Sequence, residues 1–324
     1  MSSPEKKLRW AILGCARISR RGLIPGILES HSGTLDLLAS RRLEAANEWA
    51  AEFGIPRTVN SYEAAIADPS IDCVYIPLAN EEHAPYVKLA ADAGKHILCE
   101  KPLALNSAEA REMVDYCRSK GVILMEAFMW RHQPRTLALL KAVKSGRIGD
   151  LRLVRSSFSF SIDMTDWRLD PARGGGSLWD VGCYGVSTLR LFAGGEPNEI
   201  LGRGRFSDAG VDLSVTASLK FPNGVLGAID CSFEQPFRCV YEIVGSSGRI
   251  VVPNAYLPPE APVAQFYDIE GKLVDEITYS GRNQYACMVD AFAESVKAGN
   301  LVAPAEDGLA QMIALDRVLS ACKA

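Results

Sequence analysis

Two stretches of this chain combine residue types that do chemistry with a spacing that can use them. The first is Glu100-Lys101-Pro102, which follows the apolar run His96 to Cys99. A charged pair locked between a buried strand and a proline is an odd place for residues that serve only solubility. An ammonium fixed beside a hydroxyl or phenol favours its anionic form and so eases proton removal. The plainer reading is a lysine paired with its neighbour Glu100. The second is Asp180 and Tyr184, four residues apart in a helical stretch, so that both side chains project from one face. They read as a catalytic pair, or as a first-turn anion on the helix dipole and a core aromatic with a satisfied hydroxyl.

Three further runs have the character of a dinucleotide site. Gly14-Cys15-Ala16-Arg17-Ile18-Ser19 lies where a Gly-x-Gly-x-x-Gly fingerprint would, after an apolar strand and before a helix. Only the first glycine is present, to make the turn that aims backbone N–H groups at a pyrophosphate. Ala16 still permits close approach, and Ser19 departs from the third position. Pro25 should break or restart the helix. The second strand ends in Ala39-Ser40-Arg41-Arg42, with no acidic residue for a ribose 2′-hydroxyl. A hydroxyl and guanidiniums bind a 2′-phosphate instead, which favours NADP with NAD as the alternative cofactor; two solvated arginines are the plainer account. Leu78, Asn80 and His83 follow the Cys73 to Ile76 strand on the edge where such sheets bind ligands. His83 reads equally as a first-turn surface histidine.

The elements that must position these residues fall into two groups. Arg9 to Leu13, Asp36 to Ala39, Cys73 to Ile76, His96 to Cys99 and Val122 to Met125 are short apolar strands. Helices separate them: Leu43 to Phe53 and Ala84 to Ala93, closing at Gly54 and Gly94, and Ala108 to Ser119, opened by Ser107. This alternation predicts a parallel sheet in an α/β fold. After about Asp150 longer β-branched and aromatic runs appear: Leu151 to Phe160, Glu199 to Phe206, Leu213 to Phe221, Val225 to Phe233 and Val240 to Val244. They predict an antiparallel sheet, with Pro222-Asn223-Gly224 as a hairpin turn. Helices are expected at Leu178 to Phe192, Tyr285 to Lys297 and Leu309 to Cys322. With 324 residues the chain suits two domains, taken here as 1–127 and 128–324.

With the tripeptide, the β-α-β units and Gly174-Gly175-Gly176-Ser177-Leu178-Trp179-Asp180-Val181-Gly182-Cys183-Tyr184, the chain resembles the Gfo/Idh/MocA oxidoreductase family over essentially its whole length. The resemblance implies an N-terminal Rossmann domain and a C-terminal α+β domain with a large open, mostly antiparallel sheet. It gives Lys101 a contact with the cofactor and the reacting hydroxyl, and makes Pro102 often cis. Many members have aspartate and histidine where this chain has Asp180 and Tyr184. Tyrosine there is similar to the branch of glucose-fructose oxidoreductase, dihydrodiol dehydrogenase and aldose dehydrogenase. A phenol with a pKa near ~10 needs help near neutral pH, and Lys101 is placed to give it. By the same resemblance Glu100, Ala127, Trp167, Arg168 and Tyr285 line the cofactor, Trp167 by stacking and Arg168 by holding phosphate. A core tryptophan beside a surface arginine is the alternative for that pair.

The activity so implied is NADP-dependent oxidation of an aldose such as xylose or glucose at C1. Reduction of a keto or deoxy sugar and oxidation of a trans-dihydrodiol stand beside it, and so does a non-catalytic NADP-binding redox sensor. In relatives the open sheet is a dimer surface, which implies a homodimer or homotetramer.

Composition limits the partners. The net charge of −4 comes without a polybasic stripe, so neither nucleic acid nor a membrane surface is expected. The polar start Met1-Ser2-Ser3-Pro4-Glu5-Lys6-Lys7 fits neither a signal peptide nor a span, so the cytoplasm is the expected compartment. Nine cysteines without a Cys-x-x-Cys pair predict reduced, mostly buried thiols, and four histidines supply no metal site.

Overall fold

Short strands buried on both faces need helices to cover them, and the computed structural model of the chain supplies both. It describes residues 7–299 and 305–323; the reading of Met1 to Lys6 lies outside them. The chain forms two compact units, one of residues up to Gln133 with Asn283–Leu309, the other of Pro134–Arg282 with the residues from Ala310.

In the first unit β1 (Leu8–Leu13), β2 (Gly33–Ala39), β3 (Arg57–Val59), β4 (Cys73–Ile76), β5 (His96–Cys99) and β6 (Leu124–Glu126) form one sheet in the order β3-β2-β1-β4-β5-β6. Every pairing in it is parallel. This is the doubly wound order whose direction reverses between β1 and β4, the crevice where such sheets take ligands. The helices are α1 (Ile24–Glu29), α2 (Leu43–Phe53), α3 (Tyr62–Ala67), α4 (His83–Asp92) and α5 (Ser107–Ser119). Pro25 restarts a helix as expected: a π-helical turn, Ser19–Leu23, gives way to α1 with the proline in its first turn. The cap of α5 is Asn106, whose side chain accepts from Glu109 N at 2.9 Å, and Ser107 is the first helical residue rather than the opener.

In the second unit a helix α6 (Pro134–Lys144) precedes β7 (Leu151–Ser159), and α7 (Cys183–Ala193) follows a π-helical turn, Leu178–Gly182. The strands β8 (Glu199–Phe206), β9 (Asp212–Lys220), β10 (Leu226–Ser232), β11 (Arg238–Gly245), β12 (Gly248–Pro253), β13 (Val263–Asp268) and β14 (Leu273–Thr278) complete an eight-stranded sheet in the order β14-β13-β12-β11-β7-β10-β9-β8. β10 pairs in parallel with β7 and antiparallel with β9, so the sheet is mostly antiparallel. The predicted turn joins β9 to β10, with Gly224 at φ 83° and its N–H donating to Phe221 O at 2.9 Å. Val154, Ser156 and Phe158 of β7 are buried toward the α7 side while Arg155 between them is exposed, the alternation of a sheet with one covered face.

The remaining helices are α8 (Gln284–Ala298) and α9 (Ala305–Lys323). α8 belongs to the first unit, where Phe292 packs on Trp10 with ring centroids 5.0 Å apart. Asp290 of α8 accepts from the hydroxyls of Ser30 and Ser32, each at 2.6 Å. Among the described residues no helix is long and apolar enough to cross a membrane.

Candidate active site

Gly14 ends β1 at φ 106°, a conformation that L side chains avoid, and its N–H donates to Ala39 O at 2.7 Å. A Cβ there would lie 3.1 Å from Leu78 Cδ2 and 3.2 Å from the Tyr62 hydroxyl. The turn, and the closeness of Leu78 beyond β4, thus require this glycine. Cys15, Ala16 and Ile18 are half-buried and Arg17 is exposed, leaving the loop accessible. Ser19 is fully buried. The close packing that a third fingerprint glycine would serve occurs further on: Tyr285 of α8 lies against Gly22 and Gly26, where a Cβ would come within 2.4 and 2.5 Å of it. The four-residue spacing of those glycines was the available signal.

At the end of β2 the Ser40 hydroxyl is buried, accepts from Arg42 N at 3.1 Å and bonds the Cys15 thiol. Burial pushes that thiol up, with Ser40 and the Arg42 charge pulling the other way. Arg41 is exposed and meets Glu82 at 3.0 Å, with its guanidinium 5.2 Å from the centre of the Tyr62 ring. Burial raises the Tyr62 phenol, and Arg41 opposes the shift. Tyr62 and Glu82 were not expected here, because both are distant in sequence from the end of β2, and nothing in the run after β4 marks Glu82 as the partner of Arg41.

Across the crevice Asn80 is buried and Leu78 half-buried. His83 is fully buried, which overturns its reading as a surface histidine. Nδ1 lies 3.1 Å from Pro102 O and Nε2 3.2 Å from Leu78 O, and burial lowers the ring's pKa. The histidine thus ties the edge after β4 to the turn after β5. In that turn the Lys101-Pro102 bond is cis, Glu100 is buried and accepts from the Tyr75 hydroxyl and from Lys101 N, and Lys101 is half-buried. Ala127 is buried, its N–H donating to Cys99 O at 2.7 Å. Buried Glu126 accepts from Leu103 N at 2.9 Å.

The second unit carries the other group. Asp180 lies in the π-helical turn and Tyr184 in the first turn of α7. A simple four-residue helical repeat therefore does not describe the pair. Asp180 Oδ2 accepts from Arg168 at 2.8 Å, and the same guanidinium bonds both oxygens of Asp166 at 3.0 and 2.8 Å. Side-chain hydrogen bonding to Asp166 raises the Arg168 pKa. The alternative reading of a core tryptophan beside a surface arginine is overturned: Trp167 is exposed and Arg168 half-buried. Tyr184 is buried at 7% exposure. Asp212 anchors this segment, accepting from Ser177 Oγ at 2.8 Å and Leu178 N at 2.7 Å. Among the described residues no cluster of histidine, cysteine or carboxylate side chains could hold a metal ion. The nine cysteines are free thiols, eight of them buried.

A parallel sheet in this order, a glycine-only turn at its crossover and a basic strand end beside it define a dinucleotide-binding enzyme domain. The chain belongs to the GFO/IDH/MocA oxidoreductase family: the profile of the oxidoreductase family with an NAD-binding Rossmann fold matches residues 8–128, and that of the GFO/IDH/MocA C-terminal domain matches 136–251. It is 38% identical to D-xylose 1-dehydrogenase (NADP(+)) 2 of Haloferax volcanii over 90% of each chain. It is 36% identical to trans-1,2-dihydrobenzene-1,2-diol dehydrogenase of Mus musculus over 79% of this chain and 78% of the mouse protein. The structure superimposes on KijD10, a 3-ketoreductase from Actinomadura kijaniata in complex with NADP and TDP-benzene, with a TM-score of 0.90, 29% identity and 98% of each chain covered.

Proposed function

We propose that this protein is an NADP-dependent sugar oxidoreductase that oxidises a pyranose aldose, such as xylose or glucose, at C1. The observation that carries the reading is the row of groups along the carboxyl edge of one parallel sheet: Arg41 after β2, Gly14 after β1 and Glu100-Lys101-Pro102 after β5. The activities of the relatives, xylose dehydrogenation above all, support it. Gly14, Cys15, Ala16, Arg17 and Ile18 take the pyrophosphate and Ser40, Arg41 and Arg42 the 2′-phosphate. Leu78, Asn80, Ala127 and Tyr285 line the cofactor's reactive end. His83 and Glu100 hold that edge from beneath, and Trp167 offers a stacking face.

When bound, the nicotinamide supplies the hydride acceptor. The chain's residues manage the hydroxyl. Tyr184, as the phenolate, takes the C1 hydroxyl proton as the C1–H electron pair departs, leaving a lactone carbonyl. Lys101 favours the phenolate and orients the sugar, and Asp180, held by Arg168, accepts from a neighbouring hydroxyl.

Reduction of a keto sugar uses the same parts in reverse, and KijD10 makes that the second reading. A screen of sugars, keto sugars and trans-diols with NADP and NAD in parallel, followed by Lys101→Ala and Tyr184→Phe, tests both. Turnover unchanged in either variant removes that residue from the mechanism. Tight NADPH binding without turnover on any substrate would support a redox sensor instead.

We also propose a homodimer or homotetramer built on the outer face of the second sheet. Leu201 at 74% exposure and Leu226 at 51% stand there beside a groove of about 720 Å³ lined by Arg155, Arg203, Thr216 and Asp230. Light scattering of Leu201→Glu against the parent checks it, a smaller mass being the expected result. Nine free thiols fit a reducing compartment, and the cytoplasm is the proposed location.

A further inference from the structure

The β2 end lacks the acidic residue that recognises a ribose 2′-hydroxyl, yet a carboxylate stands within one guanidinium of it. Glu82 closes the short 3₁₀ turn Asn80–Glu82 after β4 and approaches Arg41 with both oxygens, at 3.0 and 3.3 Å. Arg41 cannot be treated as a free cation waiting for phosphate, because Glu82 holds it over the Tyr62 ring. Glu82 is the more enclosed partner, its side chain 24% exposed against 64% for Arg41. Its surroundings are mixed in charge. Glu63, bonded by Ser61 and Tyr86, also feels the Arg41 charge, and Arg42 is exposed next to Arg41.

We propose that Glu82 is a specificity-determining residue that moderates the preference for NADP over NAD. The inference rests on the reading that Arg41 receives the 2′-phosphate. That phosphate brings close to two negative charges to a guanidinium already neutralised by a carboxylate, so part of the attraction is offset by repulsion from Glu82. NAD brings a neutral hydroxyl, for which a carboxylate is the acceptor that NAD enzymes place at this point. One ion pair therefore serves both cofactors: Arg41 donates to the phosphate, and Glu82 accepts from the hydroxyl. The acidic group comes from the turn after β4, so nothing at the end of β2 announces it.

The test is fluorescence titration of the full-length protein with NADPH and with NADH, on the parent, Glu82→Gln, Arg41→Ala and the double variant. The pair is exposed enough that its loss leaves folding intact, which thermal melts check. In Glu82→Gln the ratio of NADPH to NADH affinity should rise about three- to tenfold, steepest at low salt. The double variant should likewise exceed Arg41→Ala in that ratio, because Glu82 acts on the 2′-phosphate and on the 2′-hydroxyl directly. Arg41→Ala should lower the ratio whether or not Glu82 matters. If it does not, the assignment of the 2′-phosphate to Arg41 fails and the inference goes with it. If Arg41→Ala lowers the ratio while Glu82→Gln leaves it unchanged or lowers it, the role of Glu82 alone is overturned.

Discussion

The ring of Tyr184 lies against that of Tyr256, with centroids 4.8 Å apart and planes inclined by 36°. Tyr256 is itself fixed at its hydroxyl, 2.6 Å from Ser156 Oγ and 2.7 Å from Thr188 Oγ1. Thr188 gives its one proton to the carbonyl of Tyr184 at 2.8 Å. The directions of the other bonds follow: Tyr256 donates to Thr188 and accepts from Ser156. The proposed proton acceptor thus rests on an aromatic neighbour whose orientation is set from both sides.

Tyr256→Phe keeps the ring and removes that hydroxyl, leaving two buried partners short of a bond. The expected loss is about 1–3 kcal/mol of unfolding free energy in urea titration. Stability equal to the parent would show that the network contributes nothing.

Arg168 bridges Asp166 and Asp180, all three with side chains about one-fifth exposed. Arg168→Lys keeps the charge but cannot span both carboxylates with a planar fork. If Asp180 holds a sugar hydroxyl, the variant should raise the substrate KM several-fold while NADPH affinity by titration stays at the parent value. Weakened NADPH binding instead would return Arg168 to the phosphate role that the sequence suggested.

Gly22→Ala and Gly26→Ala press on Tyr285 from two sides. The clash at Gly22 is with the ring, whereas at Gly26 it includes backbone carbon at 2.9 Å. Overpacking of this kind costs about 1–3 kcal/mol. Tyr285→Ala should rescue most of the loss at Gly22 and little of it at Gly26, read as the coupling in a double-mutant cycle of melting free energies.

The legible parts of this fold were those where one physical signal dominated. β4 and β5 are bounded as predicted because both are short, mostly apolar runs, buried at every position but His96. Gly54 stops α2 at its predicted residue, with φ 68°. β3 escaped notice because three half-buried residues at a sheet edge make no apolar run. β14 did too, since Leu273–Thr278 is an edge strand with few buried positions. The π-helical turns before α1 and α7 carry no compositional mark. In the site, residues identified by their place at a strand end were accessible to sequence reasoning. Those acting through space, such as Glu82 and Tyr62 on Arg41, were not, because their pairing depends on where separate loops return; Asp166 was missed although it stands two residues before Arg168.

Asp212 starts β9 and holds the segment bearing Asp180 through Ser177 and Leu178. Burial pushes its carboxyl up to about 6, although both hydrogen bonds and the Lys323 charge favour ionisation. The folded protein therefore holds this proton more tightly than the unfolded chain does. The stabilisation is complete below about pH 4 and is lost as pH rises through about 6, an effect of about 3 kcal/mol for a shift of this size. Asp212→Asn removes the titration and keeps an oxygen for Ser177 and Leu178. Relative to the parent, the variant's unfolding free energy should improve by a like amount between pH 4 and pH 7. Parallel pH profiles for the two proteins would mean that Asp212 ionises in the folded state as an ordinary surface carboxylate.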